Sequence, residues 1–219
     1  MTKHFDRELE KLKKKILSLG ALVEERVYLA IKAIEKKDSD LATQLIQLDY
    51  EVDENEVEVE EDCLKILALY QPVAIDLRFI IAVIKINNDL ERIGDEAVNI
   101  AERIQSMAKH LNSSFHFDYT EMAETTAAML KQSLDALVNL DIDMAFKVIT
   151  MDDEVDGIQS SAYSQIKKAM REHPAEMTYL INLYLISRHL ERVADHATNI
   201  AEEVIYLIEG EIIRHGKYL

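Results

Sequence analysis

Apolar residues recur every three or four positions along the first part of the chain. On a helix with about 3.6 residues per turn, this spacing places them on one face. The pattern therefore predicts a long amphipathic helix from Lys3 to Lys37, and the capping sequence Asp38 to Asp40 ends it. The apolar face consists of Phe5, Leu9, Leu12, Ile16, Leu19, Val23, Val27, Ala30 and Ile34.

The same periodicity predicts two further helices in the first half. The second helix is expected from Leu41 to Tyr70. Pro72 then interrupts the pattern where the third helix begins, a position that tolerates its missing N–H. The third helix is expected to continue to Leu111. The segment 112–117, NSSFHF, is rich in turn residues, and we interpret it as a linker.

The second half follows the same plan. A helix is expected from Tyr119 to Leu140, followed by the capping sequence Asp141 to Asp143. The next helix should end near Glu172. Pro174 then precedes a last helix that is expected to reach Gly210.

Two phrases occur twice. LERIGDEAVNIAE, from Leu90 to Glu102, returns as LERVADHATNIAE, from Leu190 to Glu202. DYEVD, from Asp49 to Asp53, returns as DDEVD, from Asp152 to Asp156. The two phrases keep their places in the two halves, so the duplication covers nearly the whole chain.

The repeat and the helical pattern together predict an all-α fold of two tandem, antiparallel three-helix bundles. Only 5 Gly and 2 Pro interrupt the 219 residues, which favours long helices. Three amphipathic helices in each half can bury their apolar faces only against one another. The predicted division is a first bundle over 1–111, a linker over 112–117 and a second bundle over 118–219. A single continuous six-helix bundle is the alternative.

Charge and composition narrow the functional classes. The formal net charge of −16 argues against binding nucleic acid or anionic lipid through a basic face. It suits a cation or a basic protein partner, although acidity also serves solubility alone. The single cysteine, Cys63, suggests a reducing compartment. The longest apolar run, Phe79 to Ile84, is too short to insert in a membrane, and the charged N-terminus does not resemble a signal peptide. We therefore expect a soluble cytoplasmic protein.

The repeated phrase carries an acidic row on its outer face. On a helix, Leu90, Ile93 and Ala97 gather on one side, while Glu91 and Asp95 gather on the other. Two carboxylates four residues apart repel by about 0.2–0.5 kcal/mol in an isolated helix. On one motif alone, a solvated acidic face is the simpler interpretation.

The earlier acidic pairs fall level with the later ones in each predicted hairpin. Asp49/Asp53 and Glu91/Asp95 are each centred 21 residues from Pro72, about 31 Å along their helices. The corresponding pairs of the second half lie 20 and 19 residues from Pro174. If the two helices of a hairpin are antiparallel, the two acidic pairs of that half therefore lie at the same height along them. Spacing fixes this height but not the direction in which the side chains point.

Four carboxylates at one place favour a counter-cation. Clustered oxygen ligands suit hard ions such as magnesium, manganese or iron, and zinc is an alternative. Asn99 and Asn199 offer a neutral oxygen one turn further on. A bare acidic face remains the competing interpretation. The candidate metal ligands are Asp49, Asp53, Glu91, Asp95, Asn99, Asp152, Asp156, Glu191, Asp195 and Asn199.

These motifs resemble those of the PhoU family, the regulatory proteins of phosphate-transport systems. The resemblance covers essentially the full length and includes ERIGD, ERVAD, both NIAE segments and the C-terminal IIRHG. It implies two similar three-helix bundles that bind multinuclear iron or zinc clusters through the eight acidic motif positions, all of which are acidic in this chain.

The resemblance also implies a function. Members of the family are cytoplasmic, usually dimeric and negative regulators of phosphate uptake and of the phosphate-starvation response. The implied partners are the ATPase subunit of the phosphate ABC transporter and the membrane sensor histidine kinase. The resemblance thus predicts regulation by protein contact and no enzymatic activity.

Two rival functions stay open at the level of the sequence. A metal-dependent hydrolase with a surface metal site would need an open coordination position and a nearby base. A metal-free acidic docking module would use the same faces for electrostatic contact. A buried di-iron oxidase is disfavoured because no histidine follows a glutamate at the third position. His189 and His196 flank the second motif, and we expect them on an exposed polar face rather than as ligands.

Overall fold

The computed structural model describes residues 3–108 and 115–213. Within them the chain forms seven α-helices and one short 3₁₀ turn at Pro174–Glu176, and no strand. The helices are α1 (Lys3–Lys36), α2 (Ser39–Gln47), α3 (Tyr50–Tyr70), α4 (Ala74–Ala108), α5 (Thr120–Asn139), α6 (Ile142–Glu172) and α7 (Met177–Glu209). The all-α prediction and the repeated three-helix plan are confirmed.

Helix ends follow the predicted caps. The Asp38 carboxylate accepts hydrogen bonds from the backbone N–H groups of Asp40 and Leu41, at 3.0 and 2.9 Å, and starts α2. Asp141 caps α6 in the same way through the N–H of Met144, at 3.0 Å. These bonds satisfy donors that the first turn of a helix leaves without partners. The predicted end of the third helix at residues 109–111, and residues 112–114 of the predicted linker, lie outside the described residues.

One predicted helix is divided in two. The continuous helix expected from Leu41 to Tyr70 is wrong, because α2 ends and α3 begins around Leu48 and Asp49. On either side of the break the backbone forms 3₁₀-type hydrogen bonds between residues three apart. The N–H of Leu48 donates to the Leu45 carbonyl, and the N–H of Val52 donates to the Asp49 carbonyl. The corresponding helix of the second half, α6, is continuous.

The two halves share one hydrophobic core. In the first half, α1, α2 and α3 pack on α4, and in the second half α5 and α6 pack on α7. Helices α4 and α7 then pack on each other and run antiparallel, since Lys85 contacts Glu203 while Ser106 contacts Asn182. Buried apolar side chains of all seven helices form a single cluster. The repeated phrases therefore lie on the two central helices.

Candidate metal centre

A close contact between α3 and α4 positions the acidic residues of the first half. Val52 lies between Asp49 and Asp53 in sequence, and it packs on Gly94. A Cβ atom at Gly94 would lie 3.1 Å from the Val52 Cγ1 atom, so only glycine allows this approach without a shift. Because Gly94 lies next to Asp95 in sequence, this contact brings the two helices together at the level of the acidic pairs.

The four carboxylates of the first half act on one another, and we call Asp49, Asp53, Glu91 and Asp95 the first quartet. Partial burial raises the pKa of Asp49, and the negative charges of Asp53 and Asp95 raise it further. Burial also raises the pKa of Glu91 and of Asp95, and Asp53 adds to both shifts. The charges of the two pairs act on each other between α3 and α4, so the pairs are close enough to repel across the helix contact.

The second half repeats this arrangement in the second quartet, Asp152, Asp156, Glu191 and Asp195. Burial raises the pKa of Asp152 to about 6, with further contributions from the charges of Asp195 and Asp156. Burial and the charges of neighbouring carboxylates also raise the pKa of Glu191 and of Asp195. Both quartets are therefore sites where negative charge is held at a free-energy cost.

Basic side chains offset this charge only in part. Arg92 lies 3.4 Å from a Glu91 oxygen and 3.8 Å from an Asp95 oxygen, and half of its side chain is exposed. In the second quartet, Arg188 donates to Glu191 at 3.0 Å. The other Glu191 oxygen, Oε2, is buried and accepts no hydrogen bond. Such a buried acceptor is unfavourable unless a donor or cation reaches it.

The two predicted asparagine ligands have different partners. The side-chain amide of Asn99 donates to Glu96 on its own helix at 3.4 Å. The amide of Asn199 donates across the contact to Asp89 at 3.1 Å. Asn99 and Asn199 stay predicted ligands, and the Asn199 amide nitrogen also serves the α4–α7 contact.

The structure adds two residues that the sequence patterns did not indicate. Glu56 lies beside the first quartet, because its charge raises the pKa of Glu91. Its position three residues after Asp53 on α3 was a signal that could have revealed it. The Thr198 hydroxyl lies beside Asp152 and lowers its pKa in part. Val98 and Gln159 occupy the corresponding positions of the repeat, so the two quartets have different surroundings.

The carboxylate oxygens of the quartets are suitable ligands for a hard cation. Their side chains, however, do not converge on a common position where an ion could bind. Carboxylate oxygens that repel one another are the ligands that magnesium, manganese and iron prefer. Across residues 3–108 and 115–213, no three His, Cys, Asp or Glu side chains are gathered in a group that could hold an ion. Binding would therefore require carboxylates to rotate toward one another on their helices.

His189 and His196 lie in the contact between the halves, so the expectation of an exposed polar face for them is wrong. His189 Nδ1 lies 2.6 Å from Glu96, and His196 Nδ1 lies 2.9 Å from Asp89. Their side chains are only 15% and 17% exposed. In the sequence repeat, His189 corresponds to Asp89 and His196 to Glu96. Each carboxylate therefore pairs with the histidine that occupies the other carboxylate's position.

Glu96 is the most enclosed carboxylate of this contact. It also accepts a bond from Arg192 at 2.9 Å, and its side chain is 3% exposed. Burial acts to raise its pKa, but the hydrogen bond from His189 and the charges of His189 and Arg192 lower the pKa overall. Glu96 therefore stabilises the fold at neutral pH, and this contribution is lost as the pH falls through its lowered pKa.

Two cavities lie away from the quartets. One, of about 290 Å³, is lined by apolar side chains of α1, α4 and α7 together with residues 116–120. The other lies beside α6 and includes Asp153 and Glu154. Neither includes a quartet residue, so the quartets are surface sites rather than the base of these cavities. In the part of the chain that the structure describes, no helix is long and apolar enough to cross a membrane.

Fold and site define an all-α protein of two repeated three-helix units, each with an acidic quartet on its surface. The PhoU domain family matches the chain twice, over residues 16–104 and 119–204. The chain is 36% identical over 214 residues to a phosphate-specific transport system accessory protein PhoU homolog of Clostridium acetobutylicum, with 95% of this chain and 96% of the relative covered. It is 37% identical over 216 residues to the homolog of Pseudomonas aeruginosa, with 98% and 89% covered. The chain belongs to the PhoU family.

Solved structures agree with this assignment. The crystal structure of PhoU from Pseudomonas aeruginosa is 38% identical, with a TM-score of 0.90 over 94% of this chain and 100% of that one. The phosphate transport system regulatory protein PhoU from Streptococcus pneumoniae is 29% identical, with a TM-score of 0.90 over 96% of this chain and 100% of that one. The fold is therefore that of known PhoU proteins over nearly its whole length.

Proposed function

We propose that this protein is a regulatory accessory protein of a phosphate-specific transport system, and that it acts in the cytoplasm by protein contact rather than by turnover. The observation that carries the proposal is the match in both halves to relatives named as accessory proteins of that system. The proposed partners are the ATPase subunit of the phosphate ABC transporter and the sensor histidine kinase. The proposed outcome is restraint of phosphate uptake and of the starvation response.

We further propose that the quartets bind metal ions and that the protein is a homodimer. Asp49, Asp53, Glu91 and Asp95 would hold the ion of the first half, and the second quartet would hold the ion of the second half. The raised pKa values of Asp49 and Asp152 support this, because a bound cation would relieve the repulsion that causes them. Iron is the first candidate because the family resemblance implies it, while zinc, manganese and magnesium are alternatives that carboxylate ligands also bind.

A binding experiment with the full-length chain tests the contact function. The purified chain is immobilised and exposed to the ATPase subunit and to the cytoplasmic part of the kinase from the same cell, with and without added metal. We expect saturable binding of both, and a stronger starvation response in cells that lack the protein. Lack of binding to either protein would contradict the proposal.

The same preparation distinguishes the two rival functions. Turnover of p-nitrophenyl phosphate that requires manganese, and that is lost in Glu91→Gln/Asp95→Asn, would indicate a hydrolase. Partner binding that is unchanged after chelation, but weakened by the same substitutions, would indicate a metal-free docking module. The regulatory proposal expects neither result.

A further inference from the structure

Helix α3 exposes an apolar row on the side that faces away from the core. Tyr50, Val57 and Leu64 are 56%, 51% and 56% exposed. They are spaced seven residues apart, so they form one line along the helix, with about 10 Å between neighbours. We call these three residues the α3 stripe. The opposite face of α3 is buried and consists of Val52, Val59, Cys63 and Ile66.

The repeat shows that the fold does not require the α3 stripe. The acidic motifs align α3 with α6 at an offset of 103 residues, and this offset also matches the buried positions. The buried residues of α6 at these positions are Val155, Ala162, Ile166 and Ala169. The positions of the stripe are occupied in α6 by Asp153, Ser160 and Lys167, all polar and exposed. One three-helix unit therefore folds with a polar face where the other presents apolar side chains.

Acidic side chains flank the α3 stripe. Glu54, Glu60 and Glu61, which lie outside the first quartet, are exposed on α3. The only basic residue of this helix, Lys65, is bound to acids of α3 itself, at 3.2 Å from Glu61 and 3.5 Å from Asp62. An apolar row within a negative surface selects a partner with apolar side chains bordered by positive charge.

The negative charge around the α3 stripe also distinguishes among membranes, nucleic acids, a second copy of the chain and a helix of another protein as possible partners. Anionic membranes and nucleic acids carry the same sign as this surface and are repelled. A second copy docked through its own α3 stripe would oppose two acidic rows, which is unfavourable. An amphipathic helix with lysine or arginine beside its apolar face satisfies both the spacing and the charge.

We propose that the α3 stripe binds a basic amphipathic helix of a partner protein, with apolar residues at heptad spacing against Tyr50, Val57 and Leu64 and cationic residues against the flanking carboxylates. This inference rests on the proposed function only in that the protein acts by contact. It assigns a surface to that contact, on one half of the molecule, and states the chemistry of the segment that binds there.

The first test uses a designed helical peptide of 21 residues as the probe, with Leu at heptad positions and Lys on either side. Fluorescence anisotropy measures its dissociation constant for the full-length chain. The variant Val57→Ser/Leu64→Lys installs the residues found in α6, so it preserves a known packing solution. We expect it to weaken binding by about tenfold or more. The control Ser160→Ala/Lys167→Ala changes the corresponding face of α6 without building an apolar row there, and it should leave the dissociation constant unchanged.

Three results would overturn the inference: no saturable binding, equal binding of a peptide in which Glu replaces Lys, or equal affinity of the wild type and the Val57→Ser/Leu64→Lys variant. Sedimentation of the free chain supplies a fourth outcome. If this variant abolishes a homodimer, the stripe is a contact between copies and the inference is wrong. Failure of the peptide while the ATPase subunit still binds would reject the α3 stripe and leave the proposed function intact.

Discussion

The raised pKa of Asp152 reflects its burial and the charge repulsion within the second quartet. Its pKa is raised from an ordinary value of 3.8 to about 6, first by burial and then by the charges of Asp195 and Asp156. A carboxyl whose pKa is raised in the folded state stabilises the fold below its unfolded pKa, and that stabilisation is lost as the pH rises through the folded value. The metal-free protein should therefore lose stability between about pH 4 and pH 6.

Removal of the Asp152 charge gives the corresponding prediction. Asp152→Asn should stabilise the metal-free protein at pH 7.5 by about 1 kcal/mol, once the shift is discounted for partial exposure. Urea unfolding measures the difference, which should shrink toward zero at pH 4. The control Glu154→Gln, two residues away and exposed, should change stability by less than about 0.5 kcal/mol. Destabilisation at pH 7.5 would contradict the account.

Glu96 shows the opposite case, a buried carboxylate with sufficient partners. Because it accepts bonds from His189 and Arg192, Glu96→Gln should destabilise the protein by about 1–3 kcal/mol at neutral pH. A double-mutant cycle with His189→Gln should give a coupling free energy of about 0.5 kcal/mol or more. If the free-energy changes of the two substitutions are additive, the Glu96–His189 pair contributes nothing to stability. Glu102→Gln, on the exposed face of α4, is the control.

At the scale of the helices, periodicity predicted most bounds to within a few residues. It could not predict the break between α2 and α3. No glycine or proline lies near Leu48 and Asp49, so the local sequence favours a continuous helix. The structure shows that the residues just after the break contact a distant part of the chain, because Val52 of α3 packs on Gly94 of α4. A contact between residues so distant in the chain leaves no signal in the periodicity of either helix.

The Gly94 contact allows a prediction about the spacing of α3 and α4. Gly94→Leu should destabilise the protein by about 1–3 kcal/mol, because the larger side chain meets Val52. Val52→Ala in the same chain should recover part of the loss, and unfolding in urea measures both. Since the contact holds Asp49 and Asp53 near Glu91 and Asp95, Gly94→Leu should also weaken metal binding in the first half alone. Gly157→Leu is the control, since nothing lies within 4 Å of a Cβ there.

At the scale of the whole molecule, the repeat predicted that the halves are alike but not which faces meet. The predicted exposed surroundings of His189 and His196 are wrong for this reason, since their partners Glu96 and Asp89 lie on the other half. The acidic quartets required less information, because both pairs of each quartet belong to one hairpin whose turn fixes the relative height of its helices; their metal binding stays a prediction. Which residues lie level within one half follows from their spacing along the sequence from the hairpin turn. Which residues meet between the halves depends on how two helix surfaces pack, and this is not visible in the spacing.

The shared core predicts that the halves unfold together. Helices α4 and α7 contact each other extensively, and their buried apolar side chains belong to one core cluster. Separation of the halves would expose this surface, so one cooperative transition is expected. Hydrogen exchange in increasing urea should show α1–α4 and α5–α7 losing protection at the same concentration. Two separate midpoints would show that each half is an independent unit.

The most direct test of the account is the metal content of the quartet variants. The chain is purified without a metal-affinity tag, incubated with iron, zinc or manganese, dialysed and analysed for bound metal. The wild type should retain ions, Glu91→Gln/Asp95→Asn should lose only those of the first half, and Glu191→Gln/Asp195→Asn only those of the second. The four substitutions combined should leave none, while Glu102→Gln should match the wild type. A wild type that retains no metal, or variants that retain as much as it does, would contradict the claim that the quartets bind cations.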